Sequence, residues 1–316
     1  MKIVHLPVLL EETLTYLAPD DSPSLLIDGT LGEGGHTEAF LTRYPQLSVI
    51  GLDADKNIQA KARKRLEPFG ERMSFRNTFF DDFFATYGER ERPDRILMDL
   101  GISVYHYEES ERGFSFGKEE TLDMRLNTEA GESAWDLVNS WPEKDLADII
   151  YRYGEERYSR RIAGAICRRR EETPIDRADD LADLIRGAVP SQARHGRTHA
   201  ATKTFQALRI AVNGELDRLE RVMVEAFRVL KPGGKLGFIT FHSLEDRMVK
   251  NFFRDLDRNC LCPPDAFRCT CGDIHRGKLV TRKPVGPTEE EVKRNSPSRS
   301  AKLRVIEKLT DQEALS

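Results

Sequence analysis

The sequence predicts an α/β protein whose mostly parallel sheet is interrupted by an all-helical insertion. Up to about residue 102, short apolar segments alternate with helical patterns. Short connections join them, as expected for a parallel sheet covered by helices. The alternation then stops and resumes after residue 214. We therefore expect one α/β domain made of residues 1–103 and 215–316, with a helical domain, residues 104–214, placed after the fourth strand.

The first part of the chain contains four strand-like segments and three helical ones. Each strand-like segment is a short apolar run, whereas the helical segments space their apolar residues three or four positions apart. In chain order, the segments are LLIDGT, a helix from 36 to about 44, LSVIGLDAD, a helix through IQAKARKRL, MSFRNTFF, a helix near 81 to 87, and DRILMDLGIS.

The insertion shows no convincing strand pattern. Its amphipathic stretches lie around residues 134–138, 143–153, 155–170 and 179–188. Beyond them, apolar residues between 205 and 227 recur at helical spacing and predict one long helix that ends at KPGG. A strand through KLGFITFHS, a helix through LEDRMVKNFFRDL and a last strand through SAKLRVIEKL complete the α/β domain.

Composition indicates a globular protein of a reducing compartment. The chain has 316 residues, 39% of them hydrophobic, which is enough for a sizeable core. No apolar stretch approaches the roughly 18 residues of a membrane span, and the N-terminal segment lacks a signal-peptide core. We therefore expect a cytoplasmic protein without a membrane partner. Because the net charge is −4, any contact with nucleic acid must come from local basic patches.

The glycine-rich segment DGTLGEGGHT follows the first predicted strand. In open parallel sheets, ligands bind at the carboxyl ends of strands, and glycines let a ligand approach the backbone. A dinucleotide site requires GxGxxG, but here His36 and Thr37 follow Gly34 and Gly35. Asp28, just before the turn, would repel a pyrophosphate and stabilise a cationic amine or sulfonium. S-adenosylmethionine is therefore the predicted cofactor, and NAD is the distant alternative.

Three further residues follow predicted strands and fit this cofactor. Asp53 closes the second strand, where a carboxylate suits the paired hydroxyls of a ribose. Phe80 follows the third strand, and its ring can pack against adenine. Asp99 ends the fourth strand and faces the same crevice. Each residue also has a structural alternative: a helix cap for Asp53, a core position for Phe80 and a turn for Asp99.

Nine sequence blocks resemble one bacterial family, named RsmH or MraW, of small-subunit ribosomal RNA cytosine N(4)-methyltransferases. They span almost the whole chain in order: HLPVLLEETL, DGTLGEGGHT, LMDLGIS, ERGFSF, LDMRLN, YGEERYSRRIAGAI, TKTFQALRIAVNGEL, GGKLGFITFHSLEDRMVK and NSPSRSAKLR. The resemblance implies a Rossmann-like S-adenosylmethionine-dependent methyltransferase with an inserted helical substrate domain. It also implies methylation of the exocyclic 4-amino group of a decoding-site cytosine in 16S RNA, with that RNA or the small ribosomal subunit as partner.

The resemblance also carries over cofactor-binding residues. The family's glycine-glycine-histidine triplet matches Gly34, Gly35 and His36. Its ribose carboxylate matches Asp53, its aromatic residue matches Phe80 and its DLG aspartate matches Asp99. Family members often have glutamine shortly after DLG(I/V)S, where this chain has His106 within SVYHYEE. Either side chain can donate a hydrogen bond, so His106 is the corresponding candidate.

Methylation of a cytosine amine requires an in-line geometry and a proton acceptor, because the nitrogen lone pair is delocalised into the ring. Asp99 and His242 are the candidate acceptors, since each lies at the carboxyl end of a predicted core strand. DLGIS departs from the (D/N/S)PP(Y/F) motif of DNA amino-methyltransferases, so the acceptor is a hypothesis. Methylation at carbon 5 would need a cysteine nucleophile. We reject it, because Cys167 lies among arginines on a predicted helix.

Basic residues of the insertion are candidate RNA contacts. Residues 152–170 contain seven arginines and two glutamates, and residues 276–308 contain ten Lys or Arg and four acids. Solvated charge is the alternative for any single residue, but phosphate contact is the better account of the set. The candidates, including those in the family-like blocks, are Arg112, Arg125, Arg157, Arg160, Arg161, Arg168, Lys203 and Arg209.

The sequence allows more than one role for a cysteine cluster and more than one oligomeric state. Cys260, Cys262, Cys269 and Cys271 form CxC-x6-CxC. Four thiolates can bind a structural zinc ion, although zinc sites more often use CxxC, and a reduced loop or incidental disulfides are the alternatives. A homodimer is one assembly that the interpretation allows. The rival functions are methylation of a small molecule or protein, and RNA binding without catalysis.

Overall fold

The computed structural model describes residues 6–88, 91–117, 119–129, 131–194, 199–258, 262 and 275–309. The chain divides into two compact units. The first consists of Met1–Gly101 and Asp217–Ser316, and the second is Ile102–Leu216. None of the helices in the described ranges has the length and apolar character that crossing a membrane requires.

One sheet forms the centre of the first unit. Among the described residues it has seven strands: β1 Ser24–Asp28, β2 Leu47–Asp53, β3 Met73–Asn77, β4 Arg95–Asp99, β5 Lys235–Thr240, β6 Gly277–Leu279 and β7 Lys302–Lys308. Their order is β3-β2-β1-β4-β5-β7-β6. The first five pair in parallel, whereas β7 is antiparallel to both β5 and β6. The prediction of an α/β fold with a mostly parallel sheet is confirmed.

Helices cover both faces of this sheet. Numbered along the whole chain, those of the first unit are α1 Leu10–Tyr16, α2 Gly35–Arg43, α3 Lys56–Leu66, α4 Phe80–Ala85, α12 Glu215–Val229, α13 Ser243–Leu256 and α14 Glu289–Arg294. One core contains α4, α12 and α13, with Phe84, Val222 and Phe253 fully buried. The opposite core contains α1, α2 and α3 and buries Leu17, Phe40 and Ala62. The strand order reverses between β1 and β4, so their carboxyl ends border a crevice of the kind that binds ligands.

The second unit is helical in the residues that the structure describes, apart from one bridge between Thr121 and Arg177. Its helices are α5 Val104–Glu108, α6 Ala134–Ser140, α7 Glu143–Gly154, α8 Ser159–Glu172, α9 Ala178–Ala188, α10 Ser191–Arg194 and α11 Thr202–Asn213. They enclose a core of their own, in which Leu146, Ile162 and Leu181 are fully buried.

The expected single helix between residues 205 and 227 is wrong, because the structure has α11 and α12 instead. Gly214 separates them with φ +60°, a left-handed conformation that glycine adopts without steric cost. Its N–H donates to the carbonyls of Ile210 and Ala211, which ends α11. The apolar spacing continues across the glycine, so periodicity alone does not reveal the break.

Candidate functional site

The turn between β1 and α2 is built around Asp28. Its side chain is only 2% exposed, and both carboxylate oxygens accept hydrogen bonds from the protein. Oδ2 accepts from the Thr37 hydroxyl at 2.7 Å, and Oδ1 from the Thr30 N–H at 3.2 Å. Burial raises the pKa of Asp28, while the Thr37 hydrogen bond and nearby His36 oppose that shift. Asp28 therefore stabilises the turn between β1 and α2. It would influence a bound cofactor through its charge.

The glycines of this turn are needed mainly for packing within the protein. A Cβ at Gly34 would lie 2.9 Å from Leu66 Cδ1, and Gly34 has φ +80°. A Cβ at Gly35 would lie 2.5 Å from Pro7 Cγ. At Gly32, by contrast, a Cβ would meet only the Thr30 carbonyl oxygen, at 4.0 Å. The sequence argument that these glycines admit a ligand therefore fits Gly32 better than Gly34 or Gly35.

Asp53, at the end of β2, accepts two backbone hydrogen bonds. Its Oδ2 accepts the Gly32 N–H at 2.9 Å and its Oδ1 accepts the Asp55 N–H at 2.8 Å. A carboxylate offers about four lone-pair sites, so acceptor capacity remains for two hydroxyl groups. Burial raises the pKa of Asp53 to about 7, against the two backbone hydrogen bonds. The charges of Asp55 and Asp28 contribute to this raised pKa, although less than burial does.

His36 and Asp99 lie side by side at the rim of the sheet. His36 Nε2 is 2.9 Å from the Val8 carbonyl oxygen, to which it can only donate. Its Nδ1 is 3.8 Å from Asp99 Oδ2, on the opposite side of the ring. Burial lowers the pKa of His36, although nearby Asp28 opposes that shift, so the neutral ring predominates at neutral pH. The neutral ring then has its proton on Nε2 and a lone pair on Nδ1.

Asp99 is held by short backbone contacts. Its N–H donates to the Thr30 hydroxyl oxygen at 2.6 Å, which links the end of β4 to the turn after β1. Its Oδ1 accepts the Gly101 N–H at 3.2 Å. The side chain is 21% exposed, so it remains accessible from solvent. Three carboxylates, those of Asp28, Asp53 and Asp99, thus lie at the carboxyl ends of β1, β2 and β4.

Phe80 is the first residue of α4 and is half-buried against the core of α4, α12 and α13. The next residue, Asp81, is buried, and its carboxylate oxygens are each 2.6 Å from an arginine of α12, Arg218 or Arg221. Arg218 also lies over the Phe79 ring, 3.7 Å from its centroid. These contacts fix the start of α4, and with it the position of the Phe80 ring.

His242 has a structural role that the sequence does not indicate. It is the N-cap of α13, where its Nδ1 accepts the Glu245 N–H at 3.4 Å. The Glu245 carboxylate in turn accepts the His242 N–H at 3.3 Å, which completes a capping box. His242 Nε2 is 3.0 Å from Glu245 Oε1. With Nδ1 accepting and Nε2 facing a carboxylate, the ring is poorly placed to accept a proton from a substrate.

His106 belongs to the second unit. It is 4% exposed, and its ring lies 5.4 Å from the Tyr105 ring and 5.2 Å from the Phe114 ring, between centroids. This environment is an aromatic cluster within the second unit. Its cofactor-binding role stays a prediction.

The candidate RNA contacts separate into two groups. Arg125 forms a two-point pair with Asp123 at 2.8 and 2.9 Å, and Arg209 pairs with Glu215 through Nε and Nη2, each at 2.9 Å. Arg112 donates to the carbonyls of residues 125 and 126. Because their donors already serve the second unit, these three arginines are weaker candidates for phosphate contact. The exposed candidates are Arg157, Arg160, Arg161, Arg168 and Lys203.

Three of the exposed arginines lie around the start of α8, whereas Arg168 lies in the second half of the same helix. Arg160 and Arg161 are in its first turn, whereas Arg157 precedes the helix and lies over the Tyr158 ring at 4.6 Å from its centroid. Within the described ranges, no ion pair joins Arg160 or Arg161 to a carboxylate. Lys203 donates to the Glu155 carbonyl at 3.0 Å.

The cysteines contribute little to the site. Cys260, Cys269 and Cys271 lie outside the described residues, so the zinc site stays a prediction. Cys167 is on α8, and burial raises the pKa of its thiol. A raised thiol pKa disfavours the thiolate that carbon-5 methylation requires, which agrees with rejecting that chemistry.

Sequence reasoning did not identify the groups that hydrogen-bond to the residues of the site and hold them in place. Thr30 and Thr37 stand inside the quoted DGTLGEGGHT block, so a search for side-chain partners of Asp28 and Asp99 could have found them. The Val8 carbonyl leaves no signal in the side-chain sequence, because any residue could supply it.

Comparison with known proteins identifies the family of the chain. A model of the MraW methylase family matches residues 2–309. Ribosomal RNA small subunit methyltransferase H of Treponema denticola is 56% identical over 315 residues, covering 99% of this chain and 100% of that protein. The protein of the same name from Treponema pallidum is 43% identical over 352 residues, covering 97% and 93%.

Among solved structures, an rRNA methylase from Streptococcus thermophilus overlaps 97% of this chain and 100% of its own, with a TM-score of 0.44 and 12% identity. That overlap is too low to add to the fold described above. The family match and the two Treponema relatives span nearly the full length of the sequence. The chain belongs to the MraW methylase family.

Proposed function

We propose that this methylase transfers a methyl group from S-adenosylmethionine to the exocyclic 4-amino group of a decoding-site cytosine in 16S ribosomal RNA. The observation that carries the proposal is the acidic rim formed by Asp28, Asp53 and Asp99. The names of the two Treponema relatives, which specify small-subunit ribosomal RNA, support the substrate class. The N4 position and the decoding-site cytosine come from the sequence resemblance.

The residues at the rim fit S-adenosylmethionine. Asp53 has acceptor capacity for the two ribose hydroxyls, and Phe80 presents a half-buried ring at the start of α4 for adenine. The carboxylates of Asp28 and Asp99 favour the positive charges of the sulfonium and the amine over the negative charge of a pyrophosphate. This charge preference supports S-adenosylmethionine over NAD.

Asp99 is the proposed proton acceptor. When bound, S-adenosylmethionine supplies an electrophilic methyl carbon. The N4 lone pair would attack that carbon and displace S-adenosylhomocysteine. One N4 proton passes to the Asp99 carboxylate, which is accessible and fixed by the Thr30 and Gly101 contacts. His242 is the less suitable acceptor, because the capping box of α13 engages its ring.

The direct test is mass mapping of 16S RNA from cells that lack this protein. We expect one decoding-region cytosine to lack a methyl group, and purified protein with S-adenosylmethionine to restore it at N4 in small subunits from those cells. Protein carrying Asp99→Asn serves as the control for the add-back. Unchanged methylation of every 16S cytosine in the deletion strain would remove the proposed function.

The second unit is proposed to contact the RNA backbone through the start of α8. Double substitution Arg160→Ala/Arg161→Ala should weaken binding of a single-stranded 16S fragment. It should also reduce the slope of log K against log salt by about 1.4, since each phosphate contact contributes about 0.7. Arg186→Ala is the matched control, because Arg186 is exposed but already paired with Asp183 at 2.9 Å. A salt slope in the double variant equal to that of wild type would contradict this assignment.

Three further features belong to the proposal. We propose that the enzyme works in the cytoplasm, that it can form a homodimer, and that a zinc ion can bind the cysteines at 260, 262, 269 and 271. Metal analysis of protein purified without a histidine tag tests the zinc ion, and light scattering tests the dimer. The methylation chemistry depends on none of the three.

A further inference from the structure

An N-terminal strap, defined here as Leu6, Pro7, Val8 and Leu9, packs against the start of α2. The Pro7 ring occupies the space that a side chain at Gly35 would need. The Val8 carbonyl accepts the His36 Nε2 proton at 2.9 Å. The strap therefore contacts two of the three residues in the glycine-glycine-histidine triplet, from the protein side of the turn.

The strap is held from the far end of the chain. The Leu9 N–H donates to Glu291 Oε1 on α14 at 2.8 Å, and the Asn295 side-chain amide donates to the Leu6 carbonyl at 3.0 Å. Glu291 is 6% exposed, and its own N–H donates to the hydroxyl of Thr288, the N-cap of α14. A buried carboxylate on a capped helix is a well-fixed acceptor.

Leu9, whose N–H this acceptor holds, has a left-handed backbone, with φ +54° and ψ 40°. That conformation is disfavoured for leucine, and the side chain is fully buried. Burial of the side chain and the hydrogen bond to Glu291 together offset the strain. Removing the Glu291 acceptor would leave a buried N–H without its partner and allow residues 6–9 to relax toward ordinary backbone angles.

The position of the strap decides which nitrogen of His36 carries the proton. With the Val8 carbonyl in place, the proton is on Nε2, and the Nδ1 lone pair faces Asp99 at 3.8 Å. If the carbonyl moved away, the Asp99 carboxylate would become the nearest acceptor, and it would favour the proton on Nδ1. An Nδ1–H bound to Asp99 would compete with the substrate amine for the proposed proton acceptor.

We propose that Glu291 is a positioning residue for the active site: through the strap, it fixes the tautomer of His36 and thereby decides whether a lone pair or an N–H of that ring faces Asp99. The importance of Glu291 for catalysis rests on the proposed function, whereas its effect on the His36 tautomer does not. Glu291 acts without touching cofactor or substrate, through Leu9 and Val8.

Nitrogen-15 NMR of histidine-labelled protein tests the proposal, because the two ring nitrogens have distinct shifts in each tautomer. His36→Asn identifies the His36 signals. We expect the Nε2–H tautomer in wild type and in Glu291→Gln, whose amide oxygen can still accept the Leu9 N–H. In Glu291→Ala and Glu291→Met we expect a mixture that contains the Nδ1–H tautomer. We also expect kcat to fall about tenfold in these variants, because the side chains of the site are displaced. Glu290→Ala, on the exposed side of the same helix, should match wild type.

Loss of stability alone would not support the proposal, since a purely structural role would also lower the melting temperature. Glu291→Met retains most of the side-chain volume, so it provides a folded variant if Glu291→Ala does not fold. An unchanged Nε2–H tautomer in either folded variant overturns the proposal. The NMR signal requires neither cofactor nor RNA. Wild-type protein that shows the expected tautomer but methylates no RNA would refute the proposed function alone.

Discussion

Replacing Asp99 with asparagine is expected to reduce the single-turnover rate of methyl transfer by about 10²- to 10⁴-fold, the usual range for loss of a general base. An asparagine oxygen can still accept the Gly101 N–H, so the local backbone should be retained. It cannot accept the N4 proton. The measurement is transfer of labelled methyl from prebound S-adenosylmethionine to the RNA, with cofactor affinity determined separately by calorimetry.

His242→Asn is the matched control for Asp99→Asn. Asparagine is a good N-cap, so the variant should keep α13 while removing the imidazole. We expect methyl transfer close to the wild-type rate. A normal rate in Asp99→Asn, or a loss in His242→Asn without loss of cofactor affinity, would contradict the assignment of Asp99 as the proton acceptor.

Replacing Asp53 with asparagine is expected to raise the Kd for S-adenosylmethionine by about 10- to 100-fold. Hydrogen bonds to a charged group contribute about 1.5–3 kcal/mol, and the amide offers one acceptor oxygen where the carboxylate offers two. Isothermal calorimetry measures the change. Asp82→Asn, at an exposed carboxylate of α4, is the control and should bind as wild type.

Because the pKa of Asp53 is raised, we expect the affinity for the cofactor to depend on pH. The pKa of Asp53 is raised from 3.8 to about 7, so its carboxyl is largely protonated below pH 7 in the free protein. Its contribution to folding stability is therefore present below about pH 4 and is lost as pH rises through about 7. Cofactor binding has the opposite trend, because the ribose hydroxyls need the ionised acceptor.

Affinity should therefore rise with pH between 5.5 and 7, by up to about tenfold per unit at the acidic end. The cofactor's own amine stays charged in this range, since α-amino groups titrate near 7.7–8.0. Asp53→Asn should reduce the dependence, because the ribose acceptor no longer titrates. A wild-type Kd that is constant from pH 5.5 to 7 would contradict a raised pKa for Asp53 in the binding site.

Local sequence patterns predict the strands of the first unit well, because a parallel strand buried on both faces is a short apolar run such as LLID. They fail where geometry depends on one residue or on distant segments. The apolar spacing of α11 and α12 is continuous, and only the φ of Gly214 separates them. The antiparallel edge strand β6 has three residues, too few for a periodic signal.

In the candidate site, too, local patterns predict the positions of residues but not the contacts between distant segments. The position of Asp53 at a strand end follows from the order of the elements, and so does that of Asp99. The contacts that orient the site, such as Glu291 with Leu9, join residues 282 positions apart. Pairing likewise distinguishes Arg125 and Arg209 from Arg160, although all three are equally basic in the sequence.

The central claim is that the acidic rim of β1, β2 and β4 holds S-adenosylmethionine. A crystal structure of the chain with S-adenosylhomocysteine tests it most directly. The account predicts the ribose hydroxyls on the Asp53 carboxylate, the adenine against Phe80 and the sulfur facing Asp99. A ligand bound away from these three side chains, with the rim open to solvent, would contradict it.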